Sequence, residues 1–221
     1  EIYQCDWSSD VCSSDLAVAQ LSIDGLLLKY ADEYCQQVKK LDYQGEIDFI
    51  VQHAPRNKFI RNLAIAQTGN TLILYNYVEK HGKPLYAAID EKLNELPRRT
   101  RQLFFVSGSV ETDERERIRA ITEKEKDAII VASMGTFSTG INIRNLHNII
   151  FASPSKSQIR VLQSIGRGLR KSDDGRATKV YDIADDLHWK KSRNYTLDHA
   201  GERIKMYASE KFNYKIFEVP L

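Results

Sequence analysis

Long apolar runs are missing from this chain of 221 residues, and no stretch approaches the length of a membrane-crossing helix, so a membrane partner is not expected. Cysteine is scarce. Cys5, Cys12 and Cys35 are an odd number at spacings that repeat no zinc pattern, which argues against a disulfide scaffold and for a reducing, cytoplasmic setting. The start, Glu1-Ile2-Tyr3-Gln4, has no basic segment followed by an apolar one, and a secretory signal is not expected. Charge of one sign is also lacking: 32 Lys and Arg against 30 Asp and Glu leave a formal +2. Any polyanion partner must therefore be argued from where the positive residues sit. His53, His81, His147 and His199 form no metal-ligand spacing, a lone His188 is expected to be structural or exposed, and no metal site is expected.

What is present is an ordinary folded composition, 42% hydrophobic, 10% aromatic and 28% charged, with enough length for one good core. Residues 1–16 carry two Ser-Ser-Asp steps and no settled period. They resemble translated sequencing-adapter sequence and are expected to be a non-native or disordered leader, the alternative being a genuine short extension. From Ala17 to Tyr43, Leu26, Leu27, Tyr30, Tyr34, Val38 and Leu41 fall at helical steps, and a second helix is predicted from Arg56 to Gln67. Residues 17–69 are thus expected to be a helical entry segment, closed by Thr68-Gly69-Asn70.

Strands and helices then alternate. Strands are predicted at 71–75, 102–106, 128–132, 148–152 and 178–183, with helices at 84–93, 113–123 and 156–169 between them. The strands are continuous apolar runs, as expected of a mostly parallel sheet covered by helices on both faces. The class is α/β, doubly wound, over about residues 70–190. A C-terminal extension, 191–221, holds a helical tail from Leu197 to Phe212 and a possible edge strand from Lys215 to Val219.

In such sheets ligands bind beyond the carboxyl ends of the strands. Ser107-Gly108-Ser109 and the loop from Ser133 through Gly135, Thr136, Gly140 and Asn142 are rich in glycine and hydroxyls there. Such loops can surround phosphate oxygens, although similar ones also serve as plain turns. The segment Gln163-Ser164-Ile165-Gly166-Arg167-Gly168-Leu169-Arg170 is sharper. On a helix, Gln163, Arg167 and Arg170 share one side while Ile159, Leu162, Ile165 and Leu169 anchor the other. Two guanidinium forks beside glycines suit phosphate oxygens, and a solvated basic face is the alternative. Near it Lys156, Arg160, Lys171, Arg176 and Lys179 stand against Asp173 and Asp174. The Arg98-Arg99-Thr100-Arg101 run reads as a charged loop entering a strand.

The order of these motifs, with Ser138-Thr139-Gly140-Ile141-Asn142 before Gln163–Arg170, resembles the C-terminal RecA-like lobe of superfamily 2 helicases. Within it, Val131-Ala132-Ser133, Asn145-Leu146-His147-Asn148 and Tyr207–Tyr214 are similar to the recombination and replication-fork DNA helicases of T4-like phages, which unwind, anneal and remodel branched DNA. The resemblance implies a three-layer RecA-like fold of P-loop NTPase type and a role as second motor lobe of an ATP-driven DNA helicase, in the host cytoplasm if phage-encoded. It casts Arg170 as the arginine finger, Arg167 as its partner, and Gln163 as a holder of the nucleotide side. Gly140 would let its loop approach ATP, and Asn142 stands where many members carry an aspartate near the ribose. Ser107, Gly108, Ser133 and Thr136 would grip DNA, branched, duplex or single-stranded, with Ser107 where many relatives have histidine.

The resemblance also exposes gaps. No Gly-x-x-x-x-Gly-Lys-Ser/Thr loop occurs, and no Asp-Glu pair stands plausibly at a strand end. Asp113-Glu114 begins a charged helix, and Asp185-Asp186 is expected to cap a turn or face water. ATP with Mg2+ would therefore be bound mainly by an N-terminal lobe in the same protein, missing from this sequence, and the chain alone is expected not to hydrolyse ATP. A non-catalytic nucleic-acid-binding module and a duplex translocase of chromatin-remodeller type are the alternatives.

Overall fold

The computed structural model describes residues 21–97, 101–107, 111–137, 144–155 and 175–221. Within them seven strands form one sheet: β1 (Leu21–Lys29), β2 (Thr71–Tyr75), β3 (Gln102–Val106), β4 (Ala128–Ser133), β5 (Asn148–Phe151), β6 (Thr178–Asp186) and β7 (Asn213–Pro220). The spatial order is β3-β4-β2-β5-β6-β1-β7, and every neighbouring pair is parallel. Parallel strands need crossovers, and helices supply them. These are α1 (Asp32–Val38), α2 (Tyr43–Gln52), α3 (Ala54–Ala66), α4 (Lys83–Asn94), α5 (Glu111–Lys124) and α6 (Tyr195–Ser209).

Because successive side chains point to opposite faces, each central strand feeds two cores. Leu72, Leu74, Ile130 and Phe151 pack with Ile118 of α5 and Tyr207 of α6. Ile73, Tyr75, Val131 and Ile150 pack with Ile50, Ile60, Leu85 and Ile89 of α2, α3 and α4. The result is the three-layer α/β RecA-like arrangement with a helical tail. All five residues of β2 are buried, and four of them are apolar or aromatic, with the Thr71 hydroxyl satisfied by hydrogen bonds. Gly69 ends the α3 connection at φ 82°, a left-handed conformation that glycine adopts without strain.

The main correction lies at the start. The helix expected from Ala17 to Tyr43 is a strand over Leu21–Lys29, followed by the short α1 and the start of α2. The apolar residues of this stretch fit a helical period, but β1 lies between β6 and β7 with Leu21 and Ile23 facing one core and Leu26 and Leu28 the other. The alternation Leu21-Ser22-Ile23-Asp24 is the strand signal, but it shifts phase at Gly25 and runs into Leu26-Leu27-Leu28, which suit either period. β6 is also longer than expected, running to Asp186 and carrying Asp185-Asp186 inside it. The helix predicted over 156–169 lies outside the described residues.

Candidate functional site at the carboxyl edge of the sheet

All seven strands end at one edge, and the chain crosses from one flank of β2 to the other between β4 and β5. The strand ends beside such a crossing are the usual ligand position in this architecture. Ser107 and Ser133 each directly follow the register pair Val106–Ala132, so they leave β3 and β4 side by side, both half-buried. Tyr75 pairs in register with Ser133, and its ring stacks on Phe105 at 5.8 Å. Burial, then the charge of Glu114, pushes the Tyr75 phenol up to about 12 against an opposing contribution from Ser107. Thr136 falls in a 3-10 turn, Met134–Phe137. Gly108, Gly140, Asn142, Gln163, Arg167 and Arg170 lie outside the described residues.

Beneath the edge runs a polar network that the sequence reading missed. After β2 the chain makes a π-helical turn, Val78–Gly82, which places His81 inside the fold. A Cβ on Gly82 would lie 2.6 Å from the Tyr75 ring, so only glycine lets the turn come this close. His81 Nε2 is 3.1 Å from Asn57 Oδ1, and Nδ1 is 2.8 Å from Ser153 Oγ. Asn57 donates its amide to the Val51 carbonyl at 2.9 Å, which turns its oxygen towards the imidazole. Nε2 therefore carries the proton, Nδ1 accepts from the Ser153 hydroxyl, and Ser153 Oγ accepts from the Asn76 N–H at 3.1 Å. Burial, reinforced by the Arg56 charge, lowers the His81 pKa to about 3 and keeps the ring neutral.

Next to it Arg56 and Asp185 are fully buried and form a two-pronged pair, Nε–Oδ1 2.7 Å and Nη2–Oδ2 3.1 Å. Arg56 also donates to the Ala152 carbonyl at 2.7 Å, and the Tyr30 hydroxyl donates to Asp185 Oδ1 at 2.6 Å. Burial works to lower the Arg56 pKa, but the adjacent Asp185 outweighs it and the pKa is raised. Asp185 is thus neither a turn cap nor solvent-facing, because β6 carries it under the edge. Asp186 instead pairs with Lys29 at 2.6 Å and His188 at 2.5 Å. One signal was available in the sequence: Arg56, Ile60 and Ala64 share the buried stripe of α3, an unusual place for a charge.

The described edge therefore offers neutral hydroxyl and amide groups, while its enclosed guanidinium is already engaged. It fits polar contacts to a nucleotide but does not by itself neutralise a triphosphate. Among the described residues no group of three or more side chains could hold a metal ion, and no helix is long and apolar enough to cross a membrane.

The three-layer RecA-like lobe defines the class. The profile of the helicase conserved C-terminal domain matches residues 55–172, more than half of the chain, and the chain belongs to that family. It is 37% identical over 220 residues to the ATP-dependent DNA helicase UvsW of Enterobacteria phage T4, across 94% of this chain and 42% of that protein. The crystal structure of T4 UvsW superposes with a TM-score of 0.74 at 38% identity, over 91% of this chain and 42% of that one. The ATP-dependent Type ISP restriction-modification enzyme LlaBIII bound to DNA shares the fold, with a TM-score of 0.50 at 14% identity over 91% of this chain and 15% of that one. The chain thus spans less than half the length of its T4 relative.

Proposed function

We propose that this chain is the second motor lobe of an ATP-dependent DNA helicase or translocase that unwinds, anneals or remodels branched DNA. The observation that carries the reading is the likeness to a T4 DNA helicase along nearly the whole chain, at an identity that extends beyond shared fold. ATP with Mg2+ would sit between this edge and an upstream lobe, with the metal held mainly by that lobe. Bound there, the nucleotide supplies the phosphoryl group whose transfer to water drives movement. From this chain, Arg170 would reach the γ-phosphate as the finger, Arg167 would steady it, and Gln163, Gly140 and Asn142 would line the nucleotide side. An asparagine at 142 keeps a hydrogen bond to the ribose but removes a charge. Ser107, Gly108, Ser133 and Thr136 would grip the DNA backbone, a contact that reads phosphate and is indifferent to base sequence.

The test is ATP turnover with the upstream lobe joined and with the 221-residue chain alone, against duplex, branched and single-stranded DNA and RNA. Joined, turnover should rise with DNA and fall by about 10³-fold or more in Arg170→Ala. The lone chain should be inactive. Turnover by the lone chain that Arg170→Ala abolishes would overturn the division of labour, and an unaffected joined variant would overturn the finger.

A further inference from the structure

The flank of the carboxyl edge formed by β6 and β1 carries charge that the strand-end loops do not account for. β6 leads into a tight turn in which Trp189 and Ser192 exchange both backbone hydrogen bonds at 2.9 Å, with Lys190 at φ 54°. The turn has a rigid foundation. Asn194 Oδ1 accepts from Leu187 N–H at 3.0 Å, while its amide donates to buried Glu46 and to the Asp185 carbonyl. Trp189 packs half-buried against the core, with Lys190 Nζ 5.8 Å from its ring. Next door, α1 ends in a second exposed turn bearing Lys39 and Lys40, and Lys39 lines a common cleft with Ser192, Arg193 and Tyr195.

Four of these cations are unneutralised. Arg193 pairs with Asp198 at 3.0 Å, but Lys39, Lys40, Lys190 and Lys191 meet no carboxylate among the described residues. Of the nearby acids, Asp42 and Glu46 accept from neutral N–H groups of Gly45 and Thr196 and keep their charge, while Asp186 holds Lys29 and His188. Beside the lysines stand two exposed aromatic rings. Tyr43 and Tyr195 are 41% and 50% exposed and meet edge-to-face at 5.9 Å, with Tyr43 also meeting the His199 ring at 5.6 Å, so each ring keeps part of its surface in solvent.

We propose that these two turns and the Tyr43–Tyr195 pair form an auxiliary site for single-stranded nucleic acid. The lysines take phosphates and the tyrosine faces take bases. A protein partner would be expected to meet a continuous apolar patch, whereas four ammonium groups on two adjoining turns, one of them sharing a cleft with Tyr195, match the chemistry of a single strand. The expectation of a nucleic-acid partner rests on the motor reading, but the placement of the site does not.

The test uses the 221-residue chain without ATP and a fluorescein-labelled dT30 strand. Anisotropy is followed across a salt series, and Trp189 emission is read in a Trp7→Phe background. Replacing Lys39, Lys40, Lys190 and Lys191 together by alanine should weaken binding at least tenfold and reduce the salt slope by about 3. Tyr43→Ala with Tyr195→Ala should weaken binding by roughly tenfold, and phenylalanine at both positions should restore it. Unchanged affinity and slope in the folded lysine variant would overturn the site. Duplex binding as tight as dT30, or alanine for both tyrosines without loss, would overturn the base-stacking role. Because no ATP is present, these outcomes stand apart from the Arg170 experiment.

Discussion

Arg56 and Asp185 lie 129 positions apart in sequence and are sealed from solvent together. Removing one partner of such a pair strands the other as an uncompensated buried charge. Arg56→Ala should therefore cost about 3–5 kcal/mol in urea unfolding. His81 makes a different prediction, in pH. Its folded pKa of about 3 lies below the ordinary 6.5, so the unfolded chain takes up the proton first. The stability that neutral His81 contributes is complete above pH 6.5 and drains away as pH falls towards 3. At pH 5 the loss should be about 2 kcal/mol, and His81→Asn should flatten that part of the stability profile. His53, lowered first by burial and then by Arg56, adds in the same direction.

At the scale of elements, Arg101 does more than the charged loop expected of it. It is buried, and its guanidinium donates to the carbonyls of Ala64, Gln67 and Gly69 at 2.8 Å each, closing the end of α3. It also reaches Thr71 Oγ1 at 3.1 Å and pairs through Nε with Asp127 at 3.0 Å. A lysine has three donors on one atom and cannot span these acceptors. Arg101→Lys should cost roughly 1–3 kcal/mol, and hydrogen exchange should quicken in the last turn of α3 before it does in β2. The elements themselves were unevenly legible. Strands β2 and β3 are legible to the residue because four consecutive apolar or aromatic positions, each run preceded by one polar residue, leave little choice. β1 was misread because Leu26, Leu27 and Leu28 suit either period, and burial between β6 and β7 decides the outcome.

For the whole molecule, the balanced charge count hid an uneven layout. The charged run 98–101, expected as a loop entering a strand, ends in a buried structural arginine, while Lys39, Lys40, Lys190 and Lys191, with no carboxylate partner among the described residues, come from two turns far apart in the chain. The parallel sheet with helices on both faces, the helical tail and the C-terminal strand β7 were determined by the sequence alone, because local apolar patterning suffices for them. The motif order that places the arginine segment after β5 was legible in the same way. Only the tertiary structure decided that β1 joins the sheet and that Arg56 meets Asp185. It also decided that His81 bridges Asn57 and Ser153, and that the Lys39 and Trp189 turns share a flank. Each of these depends on residues that the chain brings together across long separations, and no local pattern records which buried charge will find which partner.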